Sequence, residues 1–479
     1  MITGKIWELH NQATLEQMDA AAIHLLSHSG CRIDHDGLLN LMESAGCQVT
    51  RNNHRCRIPE RLIRKALECI RKGNPDTAVK LPSGWNPQHH LVHSGSYPHI
   101  LDWPSGERRL ATHQDLIDMA RMAHVMDDFK SIGRLFCCHG IDPRIEPLWT
   151  TVELAKITTK PIGGGEIFYA EYIEPLVRMA EVLTGNPNDT SLVAACDFFI
   201  APLIFDQTQA ECFMEKRRVG CPNCPGTMPI SGLSGPVTIA GTALIGLAEL
   251  LAGWVFGYVV NPDLPVGGIV ASGSLDMRSA TPCFGSPEAL LQDAMVVQTC
   301  RRLYSITVYS ATGYVDCKRP GIDAVFQKML PMVAGPLQIG AWVGSEGLLS
   351  AGQDYSPVQH MLDSEITKGV ERFRASFDVT PATLAVDLIE EMMARPTVNF
   401  ADTDHTLEHF RNEQWFPRWL DRTLWQGQEK ELQAEQNMLR RIDQHCKEAI
   451  ASYQRPDIDR TRIAELERIL LHAARRPVP

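Results

Sequence analysis

At 479 residues, with 44% hydrophobic and 22% charged side chains and no low-complexity tract, the chain can bury a large core, which excludes a disordered protein. Its formal net charge of −11 argues against a nucleic-acid partner, because phosphate backbones are met by basic surfaces. The opening MITGKIWELHNQATLEQ has no apolar core of a leader, and fourteen cysteines accompany it, so reduced thiols in the cytoplasm are expected.

Residues 1 to about 75 read as helices with one short turn. ATLEQMDAAAIHLLSHSG spaces its apolar residues helically and stops at Gly30, HDGLLNLMESAG repeats the design, and PERLIRKALECIRKG opens on Pro59. YPHILDWPSGERRLAT reads as a hairpin turning at Ser105-Gly106.

From about residue 113 short apolar runs alternate with longer helical patterns. FKSIGRLFCCHG, KPIGGGEIF, SLVAACDFFIAPL, PNCPGTMPI, LPVGGIVAS, YSITVYSATG and PLQIGAWVG each read as a strand followed by a helix. Seven such units imply parallel strands joined by crossover helices, and favour a closed (β/α)8 TIM barrel over an open sheet. An eighth strand is expected within ARPTVNF. After about 403 the chain turns helical and charged. The expected organisation is a helical segment with hairpin over 1–112, a barrel over 113–402 and a helical extension over 403–479.

The fourth unit carries an apolar stretch long enough to span a bilayer, with Glu249 as the single charge between Val237 and Val260. No Lys or Arg flanks it, and it sits inside the alternating series. A buried helix is expected, covered on its outer side by another subunit or by the C-terminal helices. Gly253 and Gly257 suit close packing of that helix on the sheet.

In a barrel the chemistry belongs to the loops at the C-terminal ends of the strands. Those loops offer Cys137, Cys138 and His139, then Glu166, the turn Ser231-Gly232-Leu233-Ser234-Gly235-Pro236, then Ser274, Asp276 and Arg278, then Tyr314, Asp316 and Lys318, and finally Trp342 and Glu346. The Ser231–Pro236 turn either holds an anion on free N–H groups at a helix start or is an ordinary cap at Ser234. Asp276 and Arg278 are either a structural ion pair or substrate-binding residues, with Arg278 taking a substrate carboxylate. Asp316 and Lys318 either close their loop or set the site's electrostatics. Tyr314 and Trp342 are either core aromatics or two walls of a cage for a quaternary ammonium. Cys221 and Cys224 form a lone CxxC, short of a zinc set.

Several blocks are similar to those of the trimethylamine methyltransferase superfamily: GERRLATHQDLIDMARMAHVMDDFKSIGRL, ITTKPI, PISGLSGPVTIAG, LDMRSATPCFGSPEALLQDA, SATGYVDCKRPGIDA and HTLEHFRNEQWFPRWLDR. They occur in the family's order and cover nearly the whole chain. The resemblance implies a barrel enzyme that passes a methyl group from an amine to the Co(I) of a corrinoid (cobalamin) carried by a cognate partner protein. No corrinoid-binding DxHxxG motif occurs in this chain. Only the twenty standard residues are present, so the chain resembles the members without pyrrolysine, whose substrates are quaternary amines such as glycine betaine. On this reading Asp316, Lys318 and Glu166 serve catalysis. Tyr97, Tyr314, Trp342, Arg278, Asp276, Ser231, Ser234 and His360 meet the substrate, and no metal is bound. Tyr97 is included because SGSYPHILD precedes the barrel and can fold over its mouth. Tyr314, Val315, Trp342 and His360 depart from the family pattern, which leaves the amine open. A homo-oligomer without membrane or nucleic-acid contacts is expected. Two alternatives stand beside this: a zinc-dependent betaine:thiol methyltransferase using Cys137, Cys138, His139, Cys221 and Cys224, and a non-catalytic betaine- or corrinoid-protein-binding member.

Overall fold

The structure is a computed structural model that describes residues 8–73, 96–311, 313–335, 346–375 and 377–475. The expected seventh strand and Trp342 lie outside the described residues.

The N-terminal helices form where the spacing places them: Gln12–His28, Asp36–Ser44 and Glu60–Gly73. Asn11 caps the first through the N–H of Thr14, and the imidazole of His35 caps the second through that of Leu38. Gly30 ends the first helix at φ +72°, where a Cβ would lie 2.3 Å from the Cys56 carbonyl oxygen. The segment is not purely helical, however. Strands Cys31–Ile33, Gln48–Thr50 and Arg55–Arg57 form a small antiparallel sheet, which Ile204–Phe205 extends in parallel beside Cys31–Ile33. Three residues are too few to carry a legible period of two, so this sheet is set by its pairing.

The hairpin forms between His99–Leu101 and Arg108–Leu110, with Gly106 at φ +71° in its turn. Arg109 grips it from inside, reaching Asp102 at 2.6 Å and Asp115 at 2.7 Å. On its other edge the hairpin pairs in parallel with Asp354–Tyr355, which ties it to the stretch just before the helix that begins at Pro357.

Strands Asp197–Phe198, Pro225–Thr227, Ile269–Val270 and Tyr309–Ser310 lie side by side in parallel and in chain order. A parallel bridge between Ile132 and Ile162 marks the first two units. Helices Glu146–Ala155, Ile173–Thr184, Gln207–Arg218, Ile239–Val260, Pro287–Thr299, Ile322–Ala334 and Pro357–Arg374 follow in the expected alternation. Ala394–Phe400 is not the eighth strand: it is a turn and an extended stretch without a ladder, and every residue in it is exposed. With Pro396 in the middle and no buried face, it has neither the donors nor the apolar surface that a strand requires.

The long apolar helix Ile239–Val260 is buried, with Leu247, Leu250 and Trp254 fully enclosed. A helix apolar all round needs cover on every side. Its inner side lies on the strand Pro225–Thr227, and Pro287–Thr299 packs beside it. The outer cover comes from Gln12–His28 and Glu60–Gly73, not from a C-terminal helix. The C-terminal helices go elsewhere: Ala434–Ala451 packs on His113–Val125 and Pro357–Arg374, and Arg460–Ala474 on Glu146–Ala155 and Ile173–Thr184. Glu249 turns inward, accepting the Leu203 N–H at 2.7 Å and the Thr227 hydroxyl at 2.5 Å.

Candidate active site

The ends of the fourth and fifth strands continue into a second small sheet, Ile230–Ser231 beside Gly273–Asp276 beside Thr281–Cys283. This sheet carries the fifth-unit loop to Phe284 and Gly285, where the sixth-unit loop takes hold of it. The Asp316 carboxylate accepts the N–H groups of Phe284 at 2.9 Å and Gly285 at 3.0 Å. Its own N–H donates to Gln327 at 2.8 Å, and the Lys318 ammonium donates to its carbonyl. Asp316 is therefore a clamp between loops, and Lys318 is exposed beside it.

The clamp sets the Phe284 and Tyr314 rings 5.6 Å apart at 47°. Burial, with Glu166 adding its charge, pushes the Tyr314 phenol up to about 12. Tyr97 lies on the inner side of the same region. It is fully buried, stacked on Tyr355 at 5.6 Å, and among the described residues its hydroxyl has no hydrogen-bond partner. Burial raises its phenol well above the usual value, and Tyr314, Glu346 and Asp363 add to the shift. Tyr97, Tyr314, Glu346 and Glu166 thus share one electrostatic neighbourhood, although they come from four separate parts of the sequence. Tyr97 reaches it as part of the core, bonded through its N–H to the Leu135 carbonyl at 2.8 Å, rather than as a flap across the mouth.

Two acids gain weight from burial. Glu346 is buried in the loop before the helix that begins at Pro357, and burial pushes its carboxyl up to about 7. Asp293 was not singled out by the sequence. Burial on the Pro287–Thr299 helix likewise pushes it up to about 7, while it accepts the Ser272 N–H at 2.9 Å and the Ser310 hydroxyl at 2.6 Å. A lone acid amid LLQDAMVV was its only signal. Beside it lies a cavity of about 20 Å³ lined by Ser272, Phe284, Ser286, Asp293, Ser310 and Tyr314, room for about one water.

Other expected site residues are taken up by contacts of their own. Arg278 is 91% exposed and pairs with Asp276 at 3.1 Å, and that guanidinium bond keeps the Asp276 carboxyl below its ordinary range. In the Ser231–Pro236 turn, the N–H groups of Leu233, Ser234 and Gly235 all donate to the Ile230 carbonyl, and that of Gly232 to Gly235. The Ser234 hydroxyl accepts the Ile230 N–H at 2.9 Å. These turn amides are spent internally, and the helix starts later, at Ile239. His360 is enclosed between Phe129, 4.6 Å away, and Tyr355, whose hydroxyl lies 3.1 Å from its Nδ1.

The thiols are dispersed. Cys137 donates to the Ser96 carbonyl and Cys138 to that of Thr112, while Cys221 and Cys224 belong to another part of the fold. Cys224 instead meets Cys196, sulfur to sulfur at 3.4 Å. Among the described residues no three His, Cys, Asp or Glu side chains gather as a metal set. A buried arginine was also missed: Arg134 donates to the Ser96 hydroxyl at 2.7 Å and pairs with Glu146 at 3.3 Å.

The family model for trimethylamine methyltransferase (MTTB) matches residues 3–476. The chain is 24% identical to trimethylamine methyltransferase MttB of Desulfitobacterium hafniense strain DSM 10664 / DCB-2 over 415 residues, 83% of this chain and 81% of that one. It is 24% identical to the glycine betaine methyltransferase of D. hafniense strain Y51 over 390 residues, 78% and 79% of the two chains. Among solved structures, the Methanosarcina barkeri monomethylamine methyltransferase (MtmB) aligns at 12% identity with a TM-score of 0.49, covering 94% of this chain and 90% of that one.

Proposed function

The chain belongs to the trimethylamine methyltransferase family, and from that premise we propose that it removes a methyl group from a quaternary amine of the glycine betaine type. The acceptor in this proposal is a corrinoid held by a separate protein, whose Co(I) supplies the nucleophile. The observation that carries the reading is the family match from residue 3 to 476.

The neighbourhood of Tyr314 suits such a substrate. Phe284 and Tyr314 offer two ring faces, and a phenol raised to about 12 keeps Tyr314 neutral at working pH. Ring faces attract a quaternary ammonium through their quadrupoles, by about 0.5–2 kcal/mol each depending on desolvation. Glu166 adds negative charge nearby, and Lys318, exposed beside Asp316, is a cation available to a substrate carboxylate. Asp316 acts as a positioning residue, since both of its carboxylate oxygens are engaged by loop amides.

A quaternary ammonium that loses a methyl group departs as a neutral tertiary amine, so no proton has to be delivered. The protein's task is alignment, which can lower a barrier by at most about 7–11 kcal/mol. Because the positive charge fades as the methyl leaves, tight cation binding stabilises the ground state more than the transition state. Two rings and one distant anchor are better matched to turnover than a complete cage.

The test mixes the protein with a reduced corrinoid protein and, in turn, glycine betaine, carnitine, proline betaine and trimethylamine, following the Co(I) absorbance. Loss of Co(I) with a quaternary amine but not with trimethylamine is expected. Ligand binding without Co(I) loss across the panel overturns the proposal.

A further inference from the structure

Cys196 and Cys224 meet sulfur to sulfur at 3.4 Å, and the site described above uses neither. Each stands one residue before a strand. The strands Asp197–Phe198 and Pro225–Thr227 pair in parallel with Asp197 opposite Pro225, and the Asp197 N–H donates to the Cys224 carbonyl at 3.0 Å. The pair therefore marks the N-terminal ends of the third and fourth strands, whereas Tyr314 and Asp316 stand beyond the C-terminal end of Tyr309–Ser310. Neighbouring strands run about 4.8 Å apart, inside the Cα separation of about 4.4–6.8 Å that a disulfide spans. To bond, the two sulfurs must approach by about 1.3 Å, which side-chain rotation covers.

A buried network holds this contact in place. The Lys216 ammonium donates to the Ala195 carbonyl at 3.0 Å and to the Asp197 carboxylate at 2.8 Å. Arg217 donates to the other Asp197 oxygen at 3.1 Å and to the Asn223 side chain at 3.0 Å. Asn223 donates in turn to the Gly253 carbonyl at 3.2 Å. The residues on both sides of Cys196, and the one before Cys224, are thereby pinned, so the two thiols have little freedom to part. They differ in access: Cys224 is buried and Cys196 is half-buried. Cys47 and Cys56 are also hydrogen-bonded to each other, but both are buried, and neither gives a dissolved oxidant a way in.

We propose that Cys196 and Cys224 are a dithiol–disulfide couple, a latch that joins the third strand to the fourth when the chain meets a small-molecule disulfide such as glutathione disulfide. The Cys196 thiolate attacks one sulfur of the oxidant, whose S–S bond breaks and releases a first thiol. The Cys224 thiolate then attacks the Cys196 sulfur, the mixed bond breaks, and a second thiol leaves. The protein gives up two protons and two electrons, and the oxidant takes both to become two thiols. The hydrogen bond with Cys224 and burial raise the Cys196 thiol well above its ordinary value, Asp197 adds to this and Lys216 opposes it, so the first attack is slow at neutral pH. The second is favoured because the attacking sulfur already stands in contact. The ring so closed spans 28 positions and contains the helix Gln207–Arg218. Closing it restricts the unfolded chain far more than the folded one, so the oxidised protein is the more stable form. The inference does not depend on the reaction proposed above.

The experiment incubates the folded, full-length chain with excess glutathione disulfide, keeps a control in dithiothreitol, blocks the remaining thiols and maps the peptides by mass. A Cys196–Cys224 linked peptide that dithiothreitol dissolves is expected, with a Tm several degrees above that of the reduced chain. Cys224→Ser should stop with one glutathione on Cys196, and Cys196→Ser should form no link at Cys224, each with an unchanged circular dichroism spectrum. Wild type that keeps both thiols free overturns the proposal, as does wild type that retains glutathione on Cys196. A disulfide at Cys47–Cys56 in place of Cys196–Cys224 overturns it too. So does a Cys196–Cys224 link that leaves the Tm where it was, since such a latch holds nothing. If a variant fails to fold, the peptide map and Tm of the wild type decide by the same outcomes.

Discussion

The N–H of Gly285 donates to the Asp316 carboxylate at 3.0 Å, fastening the loop after the fifth unit to the loop after the sixth. The same carboxylate takes the Phe284 N–H at 2.9 Å, so one side chain decides where the Phe284 ring stands relative to Tyr314. Asp316→Ala leaves two amides without their acceptor, at a cost of about 1–3 kcal/mol. The expected outcome is a weakened grip on betaine, seen as a higher KM or Kd by calorimetry. Asp316→Asn, which keeps one carbonyl oxygen, should recover part of it. Equal damage from both variants would place the aspartate's role in its charge.

Tyr314 is predicted to act through its ring. Tyr314→Phe should bind a quaternary ammonium as the wild type does, whereas Tyr314→Ala should weaken binding about 5- to 30-fold, the equivalent of about 1–2 kcal/mol. Titration with tetramethylammonium and glycine betaine checks this. If Tyr314→Ala binds both ligands unchanged, the aromatic wall is not part of the site.

Glu249 links the long helix to pH. Burial pushes its carboxyl up to about 7, although the Thr227 and Leu203 bonds pull the other way. The folded state therefore holds this proton more tightly than the unfolded chain does. The stability it contributes is complete below about pH 4.5 and is lost as pH rises through about 7. Glu249→Gln removes the dependence while keeping an acceptor for Leu203. Its Tm relative to wild type should climb between pH 5 and 7 and level off above; parallel curves for the two proteins would show that Glu249 stays charged in the fold.

The glycines of the long helix are predicted to differ in tolerance. A Cβ on Gly257 would lie 1.9 Å from the Asn223 side-chain nitrogen, and one on Gly253 2.5 Å from the Pro225 Cβ. On Gly246 the nearest atoms are 3.6 Å away, an ordinary contact. Gly257→Ala should cost about 1–3 kcal/mol through overpacking, while Gly246→Ala should be neutral or gain up to about 1 kcal/mol from helix propensity. Denaturant unfolding of the pair reads the contrast.

Much of this protein was legible along the chain. The alternation of short apolar runs with longer helical patterns located seven helices, because periods of two and 3.6 are local properties of a segment. The hairpin at Ser105-Gly106 was readable from turn chemistry, and the family from blocks spread over the whole length. The apolar helix was recognisable as a core element because it lay inside that alternation. Only the tertiary structure decided what covers it, that the three-residue strands around Cys31 pair at all, and that ARPTVNF makes no strand. It also decided that the Ser231–Pro236 amides are already spent, that Arg278 stands in solvent, and that Asp293 and Glu346 are buried acids. The physical reason is common to these cases. A period reports which face of a segment is apolar, whereas cover, pairing and desolvation depend on atoms brought close from far along the chain, as Asp316 is to Gly285.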